Sequence, residues 1–324
     1  DVFTYTGVTQ SNASNVDSIT DWTSGTDKLS ITLDYSAQTV ATTVNAVIQT
    51  ARAGVTTAQN NLSGERGQVI YDTTNSNLLI NENNDNLITT LDYKIGLNAA
   101  ATAANTVVAG DINFTITGGT GGDTIVAGGG ADTINTGGGA TSVTGGAGDD
   151  TIVGGGGVDT IVFSAGATNG SDALSTWTTG TDKLNFDGVM TGVSDVVATT
   201  GIAASNGDAN FIDNEVYVFA DGDTVYTSGT DTITSYTTLS QVAAFLGESF
   251  TGEDTTGSND TVSGDEAVFV ITDVGNSLSY VYYFVEDGTL IDASAADIVS
   301  AGELTLIGTV TEAGGNALAA GDIV

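Results

Sequence analysis

Between residues 118 and 162 the chain repeats itself every nine residues, and no other feature restricts its fold as much. The rows are GGTGGDTIV from Gly118, AGGGADTIN from Ala127, TGGGATSVT from Thr136, GGAGDDTIV from Gly145 and GGGGVDTIV from Gly154. An apolar ladder, Ile125, Ile134, Val143, Ile152 and Ile161, keeps the same period, and Ile116 and Val107 extend it upstream as weaker rows. One inward side chain per row is the mark of a coil whose rows stack. The glycines in the first half of each row permit tight turns with carbonyls directed inward, and the following Asp adds a carboxylate. The T-I-V half is a short strand with its apolar residue inside. Two rows make one turn of a parallel coil, adjacent coils lie about 4.7–4.9 Å apart, and an ion between successive turns takes ligands from rows n and n+2.

The pattern resembles the RTX family, whose nonapeptide G-G-x-G-x-D-x-U-x forms a calcium-loaded parallel β-roll. The rows at Gly118, Gly145 and Gly154 fit fully, the row at Ala127 departs only at that alanine, and the row at Thr136 has Thr141 in place of the Asp. The resemblance implies Ca2+ held by Asp123, Asp132, Asp150 and Asp159 with the turn carbonyls of Gly119, Gly121, Gly128, Gly130, Gly137, Gly139, Gly146, Gly148, Gly155 and Gly157. Rows one, three and five share one edge, where Thr141 separates Asp123 from Asp159. Rows two and four share the other, so the most complete site is expected to use Asp132 and Asp150 with carbonyls of the turns at 128–130 and 146–148. A calcium-free glycine-rich linker is the plain alternative, but a linker needs no apolar residue in register.

Composition limits the rest. The chain has 324 residues, which at roughly 150 residues per domain suggests about two domains, and 40 acidic against 5 basic side chains give a formal charge of −35. Such a field repels phosphate backbones and anionic lipid, which excludes nucleic acid as a natural partner. Disorder is excluded as well, because 40% of the residues are hydrophobic. There is no Cys, His or Pro: no disulfide, no thiolate or imidazole metal site, and no histidine base or catalytic triad. No apolar stretch of about 18 residues could span a bilayer. This composition suits a secreted surface protein, and the chain is expected not to be an enzyme. The start shows no Met and no basic segment followed by an apolar run, so a cleaved signal is not visible.

A second similarity is longer. DVFTYTGVTQSNASNVDSITDWTSGTDKLSI from Asp1 parallels DTIVFSAGATNGSDALSTWTTGTDKLNF from Asp159, sharing W-T-x-G-T-D-K-L at Trp22 and Trp177. Both resemble the capping segment that closes an RTX roll in secreted metalloproteases and surface-layer proteins, with aromatic residues covering the last open rung. The alignment puts Asp1 in the place of Asp159, which adds it to the metal-ligand set and implies that the chain begins inside a repeat, as the carboxyl-terminal piece of a longer polypeptide.

The fold expected is mainly β: a calcium-binding parallel β-roll with capping segments, flanked by β-rich domains with a few short helices. Residues 1–35 are read as the end of an upstream roll and its cap, 36–116 as a mixed α/β segment, 117–187 as the roll and its cap, 188–250 as a β-rich segment, and 251–324 as a carboxyl-terminal β domain. Val40, Val44, Val47, Ile48 and Ala51 fall at helical spacing over 36–53. Thr238-Leu239-Ser240-Gln241 reads as a capping box opening a helix over 239–246 that Gly247 stops. Strand-like runs lie at 67–71, 78–80, 215–219, 267–271 and 278–285, with turns at Asp221-Gly222 and Asp287-Gly288. A degenerate row at 257–262, then YVYYFVEDG, ELTLIGTV and the closing Asp322-Ile323-Val324, resembles the uncleaved secretion signal of RTX proteins exported by a type I system; an ordinary β-rich terminal domain is the alternative. Glu82, Asp85, Asp221 and Asp223 have no spacing that marks a glycosidase pair, and Asn-x-Ser/Thr triplets, such as that at Asn12, are assigned no function.

The leading functional reading is a structural subunit of a secreted, calcium-dependent surface assembly (S-layer, sheath or filament), with itself and cell-surface polysaccharide as the expected partners. The alternative is the calcium-folding and export module of a secreted enzyme or adhesin whose active domain lies upstream.

Overall fold

The computed structural model describes residues 1–52, 66–72, 74–83, 92–97, 107–164, 166–190, 195–198, 214–219, 233, 235–249, 266–285, 299, 301–314 and 318–324. The chain forms two compact units, Asp1–Ser164 and Ala165–Val324, and both are mainly β.

The strands of the first unit are β1 (Val2–Tyr5), β2 (Asp17–Ile19), β3 (Lys28–Asp34), β4 (Thr43–Asn45), β5 (Ile48–Arg52), β6 (Gln68–Asp72), β7 (Asn77–Asn81), β8 (Tyr93–Leu97), β9 (Ile112–Thr117), β10 (Thr124–Gly129), β11 (Thr133–Asn135), β12 (Ser142–Ala147), β13 (Thr151–Val153) and β14 (Thr160–Val162). The repeat strands alternate between two parallel sheets, β1-β3-β9-β11-β13 and β14-β12-β10-β4. Thr124 pairs with Ser142 and Ser142 with Thr160 in one sheet, and Thr133 pairs with Thr151 in the other. Partners are therefore two rows apart, which is the expected parallel β-roll. The ladder Ile125, Ile134, Val143, Ile152 and Ile161 is 0–4% exposed and fills the space between the sheets.

The roll extends upstream of the repeats. β3 pairs with β9, placing Leu33 beside Ile116, and β4 pairs with β10, placing Val44 beside Ile125. The helix expected over 36–53 is therefore wrong: β4 and β5 occupy that stretch. Val44 turns inward, at 1% exposure, while Val40 and Val47 are exposed. Threonines flanking Val44 suit a strand, and pairing with β10 outweighs the weak helical spacing.

After Ala46 the chain leaves the roll, and β5 to β8 join the earlier β2 in a third sheet, β2-β8-β7-β6-β5, before the chain returns at Val107. The two limbs of this excursion meet under one roll turn: a Cβ on Gly128 would lie 3.1 Å from the Ala46 carbonyl oxygen, and one on Gly130 would lie 2.1 Å from that of Ile112. A clasp holds the returning limb. The fully buried Asp111 accepts hydrogen bonds from Ser24 Oγ (2.6 Å), Gly25 N–H (2.7 Å) and Val108 N–H (3.0 Å), and Lys28 Nζ donates to the Gly110 carbonyl.

The second unit contains α1 (Gly166–Asn169), β15 (Asp172–Trp177), β16 (Lys183–Asn185), β17 (Asp195–Ala198), β18 (Glu215–Phe219), α2 (Leu239–Ser249), β19 (Glu266–Asp273), β20 (Leu278–Val285) and β21 (Leu304–Glu312). Its sheet runs β15-β21-β20-β19-β18-β17. Val242, Phe245 and Leu246 of α2 are buried with Phe219, Phe269 and Phe284 in one apolar cluster. The expected helix is present but passes through Gly247, a position that costs about 1 kcal/mol relative to Ala. Gln241 Oε1 accepts from Ser235 N–H (3.1 Å), further upstream than a capping box requires. The five strand-like runs fall on β6, β7, β18, β19 and β20. The turns at 221–222 and 287–288, the degenerate row at 257–262, and Asp85, Asp221 and Asp223 lie outside the described residues.

The clasp recurs at the end of this unit. Ala320-Gly321-Asp322-Ile323 repeats the Ala109-Gly110-Asp111-Ile112 tetrapeptide. The fully buried Asp322 accepts from Gly180 N–H (2.6 Å) and Ala319 N–H (2.9 Å), and Lys183 Nζ donates to the Gly321 carbonyl. Leu184 pairs with Ile323 as Leu29 pairs with Ile112. The closing residues thus have a packing role whatever else they do.

Glu82 links the excursion to β3. Its Oε2 accepts from the Tyr35 hydroxyl (3.2 Å), while Arg66 donates to its carbonyl (3.1 Å) and lies 5.4 Å over the Tyr35 ring. Burial pushes the Glu82 carboxyl from the usual 4.5 up to about 8, against the opposing influence of Tyr35 and Arg66. The folded chain therefore keeps a proton that the unfolded chain has released above about pH 4.5, so stability falls as pH rises from there to about 8. Glu82→Gln removes this loss. In calcium-saturated thermal melts the variant should match the parent near about pH 5 and melt higher near about pH 8.5; an identical offset at both would contradict the assignment.

Candidate metal centre

The two edges of the roll are built from the first halves of the rows. On the edge of rows two and four, Gly146 and Gly148 adopt φ of 112° and 111°, which L side chains resist. Space forbids a side chain too, because a Cβ would lie 1.9 Å from the Gly128 carbonyl oxygen and 2.4 Å from that of Gly130. On the opposite edge the Gly119 and Gly121 carbonyls face Gly137 and Gly139, where a Cβ would lie 2.2 and 1.8 Å away. The Gly137 and Gly139 carbonyls in turn face Gly155 and Gly157, at 1.6 and 2.8 Å. All ten glycines expected to supply carbonyls therefore lie in stacked, close-packed turns.

The four repeat aspartates are buried, at 1–3% exposure, and each reaches back one coil. Asp150 Oδ1 accepts from Asp132 N–H (2.8 Å), Asp132 Oδ1 from Phe114 N–H (2.6 Å), Asp159 Oδ1 from Thr141 N–H (3.0 Å) and Asp123 Oδ1 from Thr42 N–H (2.8 Å). Asp123 Oδ2 also accepts from Gly119 N–H of its own turn (2.8 Å), and Asp159 Oδ2 from Thr136 Oγ1 (2.9 Å). Each carboxylate thus serves the gap beneath its own turn. The sequence pairing of Asp132 with Asp150 becomes a relay, in which Asp150 holds the Asp132 backbone and Asp132 holds Phe114. Thr141 supplies a hydroxyl to its own turn, donating toward Thr136 O (3.3 Å). Asp1 is not brought to the group; its side chain is 79% exposed.

Burial, with a smaller contribution from the Asp149 charge, raises the Asp150 carboxyl to about 7, partly offset by the Asp132 N–H. A carboxyl driven toward its neutral form among inward carbonyls is a place where a cation restores the charge. No three acidic side chains converge among the described residues, so the donor set is main-chain carbonyls with at most one carboxylate per gap. All of it is hard oxygen, which suits calcium rather than a thiophilic or imidazole-bound metal. Residues that would hold the ion are Asp150 with the Gly128 and Gly130 carbonyls on one edge, and Asp159 with the Gly137 and Gly139 carbonyls on the other.

Sequence reasoning missed the row at 37–45. Its strand half, Thr43-Val44-Asn45, matches Thr133-Ile134-Asn135 and was the available signal.

No curated protein matches the chain at a significant level. Residues 115–143 and 136–168 match the family model of the RTX calcium-binding nonapeptide repeat, in 4 copies. That stretch is the one the structure winds into a parallel roll with hard-oxygen turns, and the chain therefore carries RTX calcium-binding nonapeptide repeats.

Proposed function

We propose that the chain is a structural subunit of a secreted, calcium-dependent surface assembly, in which the roll is a spine carrying β-domains that mediate self-association. RTX repeat proteins are typically secreted and extracellular, and no described helix is long and apolar enough to cross a membrane. The observation that carries the reading is the folded sheet threaded into a roll turn between Ala46 and Val107, with its returning limb clasped by Asp111. A roll that only assisted folding of a neighbour has no need to display domains along its length. The reading assigns no catalysis to the chain.

Calcium has two tasks in this proposal. Within the roll, one Val or Ile per row buries little apolar surface against the conformational entropy of ordering a glycine-rich row, and in this proposal the cation supplies the difference. Between molecules, a chain at −35 is kept apart by its own field until divalent ions neutralise and bridge its carboxylates.

Two outcomes are expected. Circular dichroism should gain strand signal on titration to about 10⁻⁴–10⁻³ M calcium, the range of extracellular modules; equal strand content in chelator and in calcium would refute coupled folding. Light scattering and electron microscopy of the calcium-loaded chain should then show sheets, tubes or filaments. A monodisperse monomer would transfer the assignment to the folding and export module of a secreted enzyme or adhesin.

A further inference from the structure

We propose that the cation ladder on the edge of Asp123 and Asp159 begins one coil before the first repeat, in a calcium site built from the main chain of residues 38–42 and the Asp123 carboxylate. The proposal rests on the calcium reading of the roll and adds a site outside the nonapeptides.

Three successive gaps on this edge share one hydrogen-bond pattern. Thr120 N–H donates to Gln38 O at 2.8 Å, Gly138 N–H to Gly119 O at 2.7 Å and Gly156 N–H to Gly137 O at 2.9 Å. At the end of each turn, Thr124 N–H donates to Thr42 O, Ser142 N–H to Asp123 O and Thr160 N–H to Thr141 O, at 2.8–2.9 Å. The carbonyl stacking continues as well. A Cβ on Gly119 would lie 2.2 Å from Gln38 O, and one on Gly121 would lie 2.5 Å from Val40 O. Gln38 and Val40 thus occupy, in the lowest gap, the places of Gly119 and Gly121 in the next.

The carboxylates separate the three gaps. Asp123, 3% exposed, reaches down to Thr42 N–H just as Asp159 reaches down to Thr141 N–H. The middle gap lies under Thr141, which has no charge to contribute. The lowest gap is therefore chemically equivalent to the highest one: two turn carbonyls below, a buried carboxylate above, oxygen donors throughout. An ion there ties two segments 81 residues apart and fixes the point from which the excursion departs.

The test uses the whole calcium-loaded chain, with hydrogen exchange and bound calcium measured for the parent, Asp123→Asn, Asp159→Asn and Asp123→Glu. Asp123→Asn should lose calcium-dependent protection of residues 38–45 while 151–162 keep theirs, and Asp159→Asn should show the reverse. Asp123→Glu keeps the charge but lengthens the arm, and should raise the calcium needed to protect 38–45 by ~3–10-fold without moving 151–162, since the ligand set and its rigidity tune affinity in such sites. Retained calcium-dependent protection of 38–45 in Asp123→Asn overturns the site. Should that variant fail to fold, an unchanged titration of Asp123→Glu overturns it instead. Unaltered calcium binding in both Asp→Asn variants would bring down the calcium reading of the roll along with this site.

Discussion

Repulsion between oxygens governs this structure. The roll turns lay their carbonyls over those of the turn below, and all the repeat rows but that of Thr141 bury a carboxylate beside them. Asp150 shows the consequence: its carboxyl is raised to about 7 although it accepts a hydrogen bond from Asp132. A coil with so thin an apolar interior cannot absorb such a penalty, because the ladder Ile125 to Ile161 supplies one side chain per row. On the proposed reading the roll is conditional on a cation, and the glycines that permit the stacking also remove side chains that could have filled a conventional core.

That same stacking explains what could be read from the sequence and what could not. Glycine is compulsory where a Cβ would strike the carbonyl of the coil beneath, which is why Gly137, Gly139 and Gly155 recur in register and the period is visible. The row at 37–45 has no glycine and no aspartate, yet it is a roll row. β4 is the edge strand of its sheet, so side chains such as Val40, 65% exposed, meet nothing below. A bottom row is released from the constraint that makes the others recognisable, and its remaining Val44 supported a helix as readily as a strand. The strand runs of the second unit were legible for the opposite reason: β19 and β20 are continuous apolar segments, buried on both faces, and their length and β-branched content identify them.

The clasps were hidden because each is made from two short pieces far apart in sequence. W-T-x-G-T-D-K-L is long enough to be noticed twice, whereas its partner A-G-D-I is not. Joined, they perform one operation. A segment of the cap presents Gly25 N–H or Gly180 N–H to a buried Asp, a lysine covers the preceding carbonyl, and the next residue begins a parallel pairing. The connecting chain is much longer in the second unit than in the first, and the clasp geometry is the same. Since closure entropy grows only with the logarithm of loop length, a clasp that fixes both ends tolerates a large domain nearly as well as a small one.

These two ways of satisfying a buried carboxylate divide the first unit more sharply than its sheets do. Asp111 is surrounded by protein donors, with bonds from Ser24, Gly25 and Val108, so its burial needs no metal. The repeat aspartates lie beside the stacked turn carbonyls, where on the proposed reading an ion completes their surroundings. On that reading the excursion and its clasp are held by protein alone, and the roll by protein and ion together. Residues 38–45 lie on the border, paired to the roll through β10 and continuous with the excursion through Ala46. What loads or empties the turns therefore reaches the excursion through this row as well as through the returning limb at Ile112, which makes the least repeat-like segment of the roll one of its two direct couplings to the inserted sheet.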